Sequence, residues 1–484
     1  MTVGLPALQR LEVRKGDRIA YISPNTHSQL ESFYAVPQLG AVLVPVNFRL
    51  KPREIEYIVK HSGSTVVCAH ADYLESVGTI RGSCGDVRHW VALEGAHDGW
   101  LDYETLLEAE SGCFQRASVD ERDLLTINYT SGTTSRPKGV MITHRNAYMN
   151  AVGTLVHLPM TCADRYLWTL PMFHANGWTF TWIVTAVGGT HVCLRKVDPA
   201  MAFCLIRDES VSMLCAAPTV LIGLATAPPD VRGEVPAGVR VVTDGAPPAA
   251  ATIQRVEGEL GWDLTQVYGL TETAPFIAIC EPRPEHVALS PEERSIIKAR
   301  QGVELITSGE LRVVDEHGKP VPRDGQTLGE IVVRGNVVMD GYYDDPAATA
   351  EAMRGGWFHS GDAAVVHPDG YAEIRDRFKD VIISGGENIS SVEVEGILMG
   401  HPAVREVAVV GMPDPKWGET PHAFVLLAAD AALTEAELIA YAREHLANFK
   451  APRKVEFVTE LPKTATGKIQ KYVLRNRNSA ISPQ

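Results

Sequence analysis

Hydrophobic positions in the first hundred residues alternate between short apolar runs and longer mixed segments. The apolar runs Arg18–Ser23, Gly40–Val46 and Ser64–Ala69 predict buried strands. The mixed segment Ser28–Gln38 carries apolar residues at uneven helical spacing and predicts a helix, and Glu54–Lys60 predicts a second one. Strands that alternate with helices predict a mainly parallel sheet covered on both faces.

The same alternation returns in the middle of the chain and then changes. Asp208–Ala217 and Val241–Thr243 continue the α/β pattern. From about residue 300 to about residue 375, strands at Glu310–Val314 and Gly329–Arg334, with a glycine turn at Asp315–Gly318, predict a β-rich subdomain. After this region the chain is α/β again for about 100 residues.

The predicted fold class is therefore α/β, with a large N-terminal domain of stacked α/β subdomains plus a β-rich subdomain, and a small α+β C-terminal domain. Thr434 and Glu437 form a capping box that begins a helix in the small domain, and this helix ends before Pro452. The length of 484 residues fits about three such units.

Composition narrows the class of protein. The net charge of −14 argues against a nucleic-acid role, which needs a basic face. None of the eight cysteines stands in a C-x-x-C pair, so a zinc or dithiol site is not indicated. The chain has no signal-peptide pattern and no apolar run near the ~20 residues of a membrane span, so we expect a cytoplasmic protein.

Tyr129–Gly139 is the strongest local signal for chemistry. It follows an apolar strand and concentrates hydroxyl side chains, glycines and Lys138. Glycines let backbone amides approach an anion, hydroxyls donate hydrogen bonds and the lysine adds charge. The spacing is not that of a P-loop, and a plain surface loop remains an alternative on composition alone.

This segment resembles the phosphate-binding signature of the acyl-adenylate-forming superfamily, which includes AMP-dependent acyl-CoA synthetases, peptide-synthetase adenylation domains and beetle luciferases. The other signatures of that superfamily follow in order, at Tyr268–Thr273, Gly356–Asp362, Asp376–Asp380 with Gly385–Ile389, and Pro462–Lys468. The resemblance covers the chain from about Lys15 to Tyr472, and it implies an N-terminal subdomain shorter than is usual in the superfamily.

The resemblance implies that a carboxylic acid attacks the α-phosphate of ATP to give an acyl-adenylate and pyrophosphate, and that a thiol then takes the acyl group. The implied ATP-binding residues are Thr130, Ser131, Gly132, Thr133, Thr134, Lys138, Gly245, Ala246, Tyr268, Gly269, Thr271, Asp362 and Arg377. The implied catalytic residues are Lys468, His174, Thr271 and Glu272, and Glu272 is also the implied Mg²⁺ ligand. Taken singly, Asp362 could be a turn residue and Glu272 a solvated helix start.

By resemblance, the hinge between the domains is Lys379, which divides an adenylate-forming domain, residues 1–378, from a mobile domain, residues 379–484. Gly385 and Gly386 would then line the path of coenzyme A, although a plain turn is an alternative reading of this pair.

Pro171–Trp178 resembles the segment that lines the acid pocket, with His174, Asn176, Gly177 and Trp178 as pocket residues; a core histidine and a core tryptophan are the alternatives. Relatives that activate amino acids carry an aspartate at the position of His174, which argues against α-amino acids. Asp244 stands where relatives often carry a small residue. Lys298–Gly302 resembles short-, medium- and branched-chain synthetases, which favours a small or medium aliphatic acid and a place in fatty acid metabolism.

The acceptor of the acyl group is predicted to be coenzyme A. A carrier-protein phosphopantetheine is the main alternative, and luciferase-like oxidation or a catalytically dead scaffold are more distant ones. Intact Lys468, Glu272, Asp362 and Lys138 argue against a dead site. The sequence leaves the identity of the acid, a homodimer against a monomer, and regulation open.

Overall fold

A computed structural model describes residues 5–108, 116–130, 136–245, 248–378, 380–385, 387–429, 431–464 and 468–477. The strands of these residues form four sheets. The first is mainly parallel, and its strands in spatial order are Gly341–Tyr342, Lys138–Thr143, Leu124–Thr130, Val42–Val46, Arg18–Ile22, Ser64–Ala69, His89–Ala92 and Leu101–Asp102.

The second sheet is also mainly parallel and packs against the first. Its strands in spatial order are Val303–Glu304, Phe276–Ile279, Asp263–Gly269, Arg240–Thr243, Met213–Cys215, Arg165–Trp168 and Thr190–Cys193. One continuous core joins the two sheets and includes Leu43 from the first and Trp168 and Val242 from the second. The crevice at the carboxyl ends of such parallel strands is where α/β folds place ligands.

The remaining two sheets are smaller. The third is antiparallel, in the order Glu310–Val314, Gly329–Arg334, Phe358–Val366 and Ala372–Arg377. The fourth belongs to the small domain and contains Glu387–Ile389, Ile382–Ser384, Gly418–Leu427, Val404–Asp414 and Lys454–Phe457. The small domain has its own core, to which Val394, Val409 and Leu438 contribute.

Helices cover the sheets. The α-helical segments are Leu5–Arg10, His27–Gln38, Pro52–Ser62, Leu74–Gly78, Tyr103–Glu108, His144–His157, Ala175–Trp178, Phe180–Ala186, Pro199–Asp208, Pro218–Ala225, Pro229–Arg232, Ala250–Leu260, Pro291–Lys298, Pro346–Ala352, Ser391–Met399, Glu435–His445 and Lys471–Arg477. Short 3₁₀ turns lie at Ala71–Tyr73, Arg81–Ser83, Thr271–Thr273, Pro284–His286 and Arg354–Gly356. Across the described part of the chain, no helix has the length and apolar character needed to cross a bilayer.

A buried polar cluster connects the two domains next to the predicted hinge. Asp376, at the end of the third sheet, accepts hydrogen bonds from the backbone amide of Ser391 at 2.8 Å and from its hydroxyl at 2.5 Å. Lys471 reaches the same hydroxyl at 2.5 Å and pairs with Glu395 at 2.8 Å. The small domain therefore contacts the large one through ionic groups that are removed from solvent.

The alternating sequence pattern predicts this architecture well. The strands Ser64–Ala69, Glu310–Val314 and Gly329–Arg334 have the predicted bounds, and Thr434 caps its helix together with Glu437. The Asp208–Ala217 segment divides differently, because Asp208 ends a helix and only Met213–Cys215 forms a strand.

Candidate active site

Three side chains from two sheets meet at one end of the crevice. The hydroxyl of Tyr268 donates to Oδ2 of Asp362 at 2.6 Å, and Nε of Arg377 lies 2.9 Å from Oδ1. Asp362 and Arg377 are direct cross-strand partners, so their side chains share one face of the third sheet. Asp362 raises the pKa of Arg377, and burial followed by this carboxylate raises the pKa of Tyr268. Each oxygen of Asp362 keeps further lone pairs for hydroxyl donors of a ligand.

A second cluster joins Glu272 to the phosphate segment through a residue that sequence reasoning missed. The hydroxyl of Tyr342 donates to Oε1 of Glu272 at 2.9 Å, and Nζ of Lys138 lies 4.6 Å from the centre of the Tyr342 ring. The strand Gly341–Tyr342 pairs with Met141 and Val140, which places the ring beside Lys138. Tyr342 belongs to none of the motifs named above. The only local feature that marks its position in the sequence is the glycine before it, Gly341.

The phosphate segment lies between two paired strands. Thr130 ends Leu124–Thr130 and pairs with Lys138, which begins the next strand, so the two ends of the loop are held together. Ser131, Gly132, Thr133 and Thr134 lie outside the described residues. Next to the loop, Nδ1 of His61 is 2.8 Å from the hydroxyl of Tyr129.

The segment after strand Arg240–Thr243 lines the crevice beside Tyr268. Gly245 has a φ of 92° and is exposed, and Ala246 lies outside the described residues. Asp244 is 6% exposed, and burial raises the pKa of its carboxyl to about 8 even though the charge of Lys468 acts in the opposite direction. The carboxyl is therefore mostly neutral at pH 7.

The predicted acid-pocket segment has an unusual backbone. Five consecutive residues have positive φ: Ala175 at 36°, Asn176 at 50°, Gly177 at 59°, Trp178 at 52° and Thr179 at 67°. L-residues rarely adopt this region, so the surrounding structure must hold the turn. Nδ2 of Asn176 donates to Thr126 at 3.1 Å, and the hydroxyl of Thr181 donates to the carbonyl of Asn176 at 2.8 Å.

The two aromatic residues of this segment lie in different surroundings. Trp178 is 2% exposed, and its ring contacts Phe276 edge-on in the core between the sheets. Its role as an acid-pocket residue stays a prediction. His174 lies at the crevice, where burial, and then the charge of Lys468, lower the pKa of its imidazole to about 4. His174 is therefore neutral at physiological pH.

Lys468 comes from the small domain and reaches the large one. Its backbone amide donates to the hydroxyl of Thr464 at 3.1 Å, and its carbonyl accepts from the amide of Thr464 at 2.7 Å. Its charge is close enough to lower the pKa of both His174 and Asp244. The fold thus brings the predicted catalytic lysine to the predicted acid pocket across more than two hundred residues of chain.

The predicted hinge and coenzyme A path are only partly described. Lys379 and Gly386 lie outside the described residues. Gly385 has a φ of 61°, and a Cβ at this position would lie 2.7 Å from the ring of Trp417. Glycine is required here by both the backbone conformation and the space.

The polar groups of the crevice fit a metal held jointly by protein and phosphate. Within the described residues, no group of three His, Cys, Asp or Glu side chains could hold a metal alone. Glu272 offers a carboxylate of which one oxygen accepts from Tyr342. Mg²⁺ typically binds one or two carboxylates together with substrate phosphates, so a single acidic ligand suits it.

Comparison with known proteins agrees with this geometry. Residues 6–343 match the family of AMP-binding enzymes, and residues 393–468 match the AMP-binding enzyme C-terminal domain. These matches define a protein of the adenylate-forming class. The chain belongs to the AMP-binding enzyme family.

Named relatives cover nearly the whole chain. A 4-hydroxybutyrate–CoA ligase of Metallosphaera sedula is 46% identical over 98% of this chain and 87% of its own length. A 2-methylpropanoate–CoA ligase of Humulus lupulus is 42% identical over 97% of this chain and 87% of its own length.

Solved structures show the same fold. An anthranilate CoA ligase in complex with anthranoyl-AMP superposes with a TM-score of 0.89 at 29% identity, over 99% of this chain and 90% of that one. ATP-bound MatB from Rhodopseudomonas palustris superposes with a TM-score of 0.85 at 27% identity, over 98% of this chain and 92% of that one. The large and small domains of this chain therefore have the architecture of adenylating enzymes.

Proposed function

We propose that this AMP-forming acyl-CoA ligase activates a short- or medium-chain aliphatic acid. The observation that supports the adenylation chemistry best is that the charge of Lys468, from the small domain, acts on His174 and Asp244 of the large domain, and that Asp362, which also acts on Asp244, is held by Tyr268 and Arg377. A cation there can offset the charge of an attacking carboxylate and of the α-phosphate, two anions that otherwise repel each other.

The other residues have roles that follow from their chemistry. Thr130 and Lys138 hold the β- and γ-phosphates together with the segment 131–134, and Thr271 contacts the α-phosphate. Tyr268 stacks on the adenine, with Gly245, Ala246 and Gly269 beside it. Asp362 accepts hydrogen bonds from the ribose hydroxyls, and Arg377 contacts the same sugar and fixes the orientation of Asp362.

Glu272 would hold Mg²⁺ together with the phosphates, and the ion would supply positive charge where pyrophosphate leaves. Tyr342 orients the carboxylate of Glu272 through its hydroxyl. The neutral imidazole of His174 can donate a hydrogen bond to the substrate carboxylate without forming an ion pair that would weaken its attack.

Thioester formation needs the small domain to present a different face. We propose Lys379 as the pivot between the domains, with a boundary after residue 378, and Gly385 and Gly386 as the passage for the pantetheine arm. The absence of a side chain at Gly385 lets the ring of Trp417 pack against the backbone, and this exposed backbone and ring would flank the arm.

The acid is proposed from the relatives, whose names include ligases for 4-hydroxybutyrate and 2-methylpropanoate. Acid-dependent pyrophosphate release, measured with and without coenzyme A over C2 to C16 and aromatic acids, tests the proposal. We expect release and AMP formation with acids of about C3 to C8, stimulated by coenzyme A. Preference for long-chain or aromatic acids would refute the substrate class, and stimulation by a holo-carrier protein instead of coenzyme A would refute the acceptor.

A further inference from the structure

Asp244 lies at the carboxyl end of the middle strand of the second sheet. It follows strand Arg240–Thr243, which pairs in parallel with Met213–Cys215 on one side and with Asp263–Gly269 on the other. Asp244 therefore lies between the ends of two strands, one of which carries Tyr268. Only 6% of its surface is exposed.

The direction of the Asp244 side chain follows from the strand. Val242 belongs to the core between the two large sheets, whereas Val241 belongs to the core on the opposite face. Asp244 comes two residues after Val242, just beyond the end of the strand, and Lys468 and Asp362 both act electrostatically on its carboxyl, which places the carboxyl on the side of the crevice. Its carboxyl is near Cys215, whose pKa it helps to raise after burial, and Cys215 lies on this same face.

The carboxyl of Asp244 has unused hydrogen-bonding capacity. The backbone amide of Gly245 acts to lower its pKa, against the larger effect of burial, and among the described residues Asp244 belongs to none of the observed ion pairs. Lys468 and Asp362 act on it from farther away, with opposite effects. Burial holds the group neutral at pH 7, and a neutral carboxyl offers one O–H donor as well as acceptors.

We propose that Asp244 is a specificity-determining residue that hydrogen-bonds a hydroxyl group of the acid, so that the enzyme prefers hydroxy acids to the corresponding unsubstituted acids. The inference rests on the proposed function. A hydroxyl can accept from the neutral carboxyl and donate to it in return. A second carboxylate on the acid would meet the charges of Asp362 and the phosphates, and 4-aminobutyrate tests an ammonium group against the hydroxyl.

The surroundings of Asp244 sharpen this preference. Cys215 and Val242 are apolar neighbours on the same face, so an alkyl chain there would leave the O–H group of the neutral carboxyl without an acceptor. A buried polar group that loses its partner rejects the wrong substrate strongly. The relative that is 46% identical is named for a hydroxy acid, 4-hydroxybutyrate. This name agrees with a residue in the acid pocket that hydrogen-bonds a hydroxyl group.

The test compares kcat/KM for pyrophosphate release with matched acids: butyrate, its 2-, 3- and 4-hydroxy derivatives, and 4-aminobutyrate. We expect the wild-type enzyme to prefer one hydroxybutyrate to butyrate by about tenfold or more, and Asp244→Ala to lower that ratio by about 10- to 100-fold. Asp244→Asn keeps a donor and an acceptor, so we expect it to retain most of the preference. Asp230→Ala, at an exposed site, is the control.

Three outcomes overturn the inference. The first is a wild-type enzyme that activates butyrate as well as every hydroxybutyrate. The second is an equal loss of activity on butyrate and hydroxybutyrate in Asp244→Ala, which would mean that Asp244 acts on Lys468 and not on the acid. The third is a preference for 4-aminobutyrate. If Asp244→Ala does not fold, the wild-type ratio and Asp244→Asn decide.

Failure of the proposed function gives a different result from failure of this inference. Suppose that the wild-type protein is folded and binds ATP, but none of the tested acids causes it to release pyrophosphate. The ligase reaction itself is then refuted, and the inference is refuted with it. If the wild-type enzyme activates unsubstituted acids readily, the ligase reaction stands and only the role of Asp244 is refuted.

Discussion

At the scale of single residues, the cleft contains groups whose properties depend on where the fold buries them. Asp244 and His174 are the clearest cases: burial holds the first as a neutral acid and the second as a neutral base. The charge of Lys468 acts on both groups. Such a polar cleft costs stability, because its groups are matched to a ligand and not to each other.

Replacement of Asp244 by asparagine should stabilise the protein in a pH-dependent way. The carboxyl has a pKa of about 8 when folded, against an ordinary value of 3.8, so between these pH values unfolding releases its proton and favours the unfolded state. The penalty grows from about pH 4 to about pH 8, where it levels off. We expect Asp244→Asn to gain about 1–4 kcal/mol in the free energy of unfolding at pH 7 and little at pH 4.

Urea denaturation of Asp244→Asn and wild-type protein at pH 4, 5.5, 7 and 8 measures this difference. A stability difference that is the same at every pH would contradict a buried neutral acid. Lys468 and Asp362 face the group, and Cys215 lies beside it, so Asp362→Asn serves as a control for the electrostatic neighbours.

Removal of one hydroxyl at Tyr342 should weaken ATP use selectively. Tyr342→Phe keeps the ring beside Lys138 but deletes the hydrogen bond to Glu272. Hydrogen bonds to charged groups contribute about 1.5–3 kcal/mol, so we expect KM for Mg-ATP to rise about tenfold or more. KM for the acid should change less than about twofold. Steady-state kinetics with each substrate varied in turn checks this, and Tyr343→Phe is the matched control.

At the scale of elements, the left-handed turn at 175–179 depends on close packing. A Cβ on Gly177 would lie 2.6 Å from the ring of Trp168, which is fully buried and cannot move aside. The preceding His174 is placed at the crevice by this turn, because the amide of Gly177 bonds to its carbonyl at 2.8 Å. The turn therefore links core packing to the position of a site residue.

Gly177→Ala should lower the free energy of unfolding by about 2–4 kcal/mol, the sum of overpacking and the left-handed backbone cost. Gly223→Ala is the matched control: it lies in helix Pro218–Ala225, where a Cβ has no heavy atom within 4 Å, so it should stabilise by about 0.5–1 kcal/mol. Thermal and urea unfolding of both variants and of the wild type measure these changes in the free energy of unfolding. Equal stability of Gly177→Ala and wild type would show that the turn relaxes freely.

At the scale of the whole molecule, two domains share one site. Lys468 belongs to the small domain, whereas His174, Tyr268 and Glu272 belong to the large one. The polar cluster of Asp376, Ser391 and Lys471 connects the domains beside the predicted pivot. The arrangement fits the first half-reaction, in which the lysine faces the acid and the α-phosphate.

Loss of the Lys468 side chain should separate the two half-reactions. We expect Lys468→Ala to reduce acid-dependent pyrophosphate release by about 10²–10³-fold or more, because a preorganised cation is removed from the developing charge. Conversion of a supplied acyl-adenylate with coenzyme A should stay within about threefold of wild type. Single-turnover assays of each step measure this, with Lys463→Ala, on the same loop but paired with Glu406, as the control. Equal loss in both steps would contradict the assignment.

Much of this protein is determined by local sequence. Apolar runs define strands such as Ser64–Ala69 and Gly329–Arg334, and a capping box defines the helix after Thr434, because these signals act within a few residues. The ordered motifs also identified Asp362, Arg377 and Tyr268 as nucleotide-binding residues, and the structure brings the three side chains into contact.

Tertiary structure decided what depends on contacts between distant segments. Tyr342 reaches Glu272 only because strand Gly341–Tyr342 pairs with residues near position 140, and no local pattern reports that pairing. The left-handed turn at 175–179 is unfavourable by itself and exists only through packing. The neutrality of Asp244 and His174 likewise arises from burial, to which the charge of the distant Lys468 adds at His174 and which it opposes at Asp244. A pKa depends on the complete surroundings of a group and not on its neighbours in sequence.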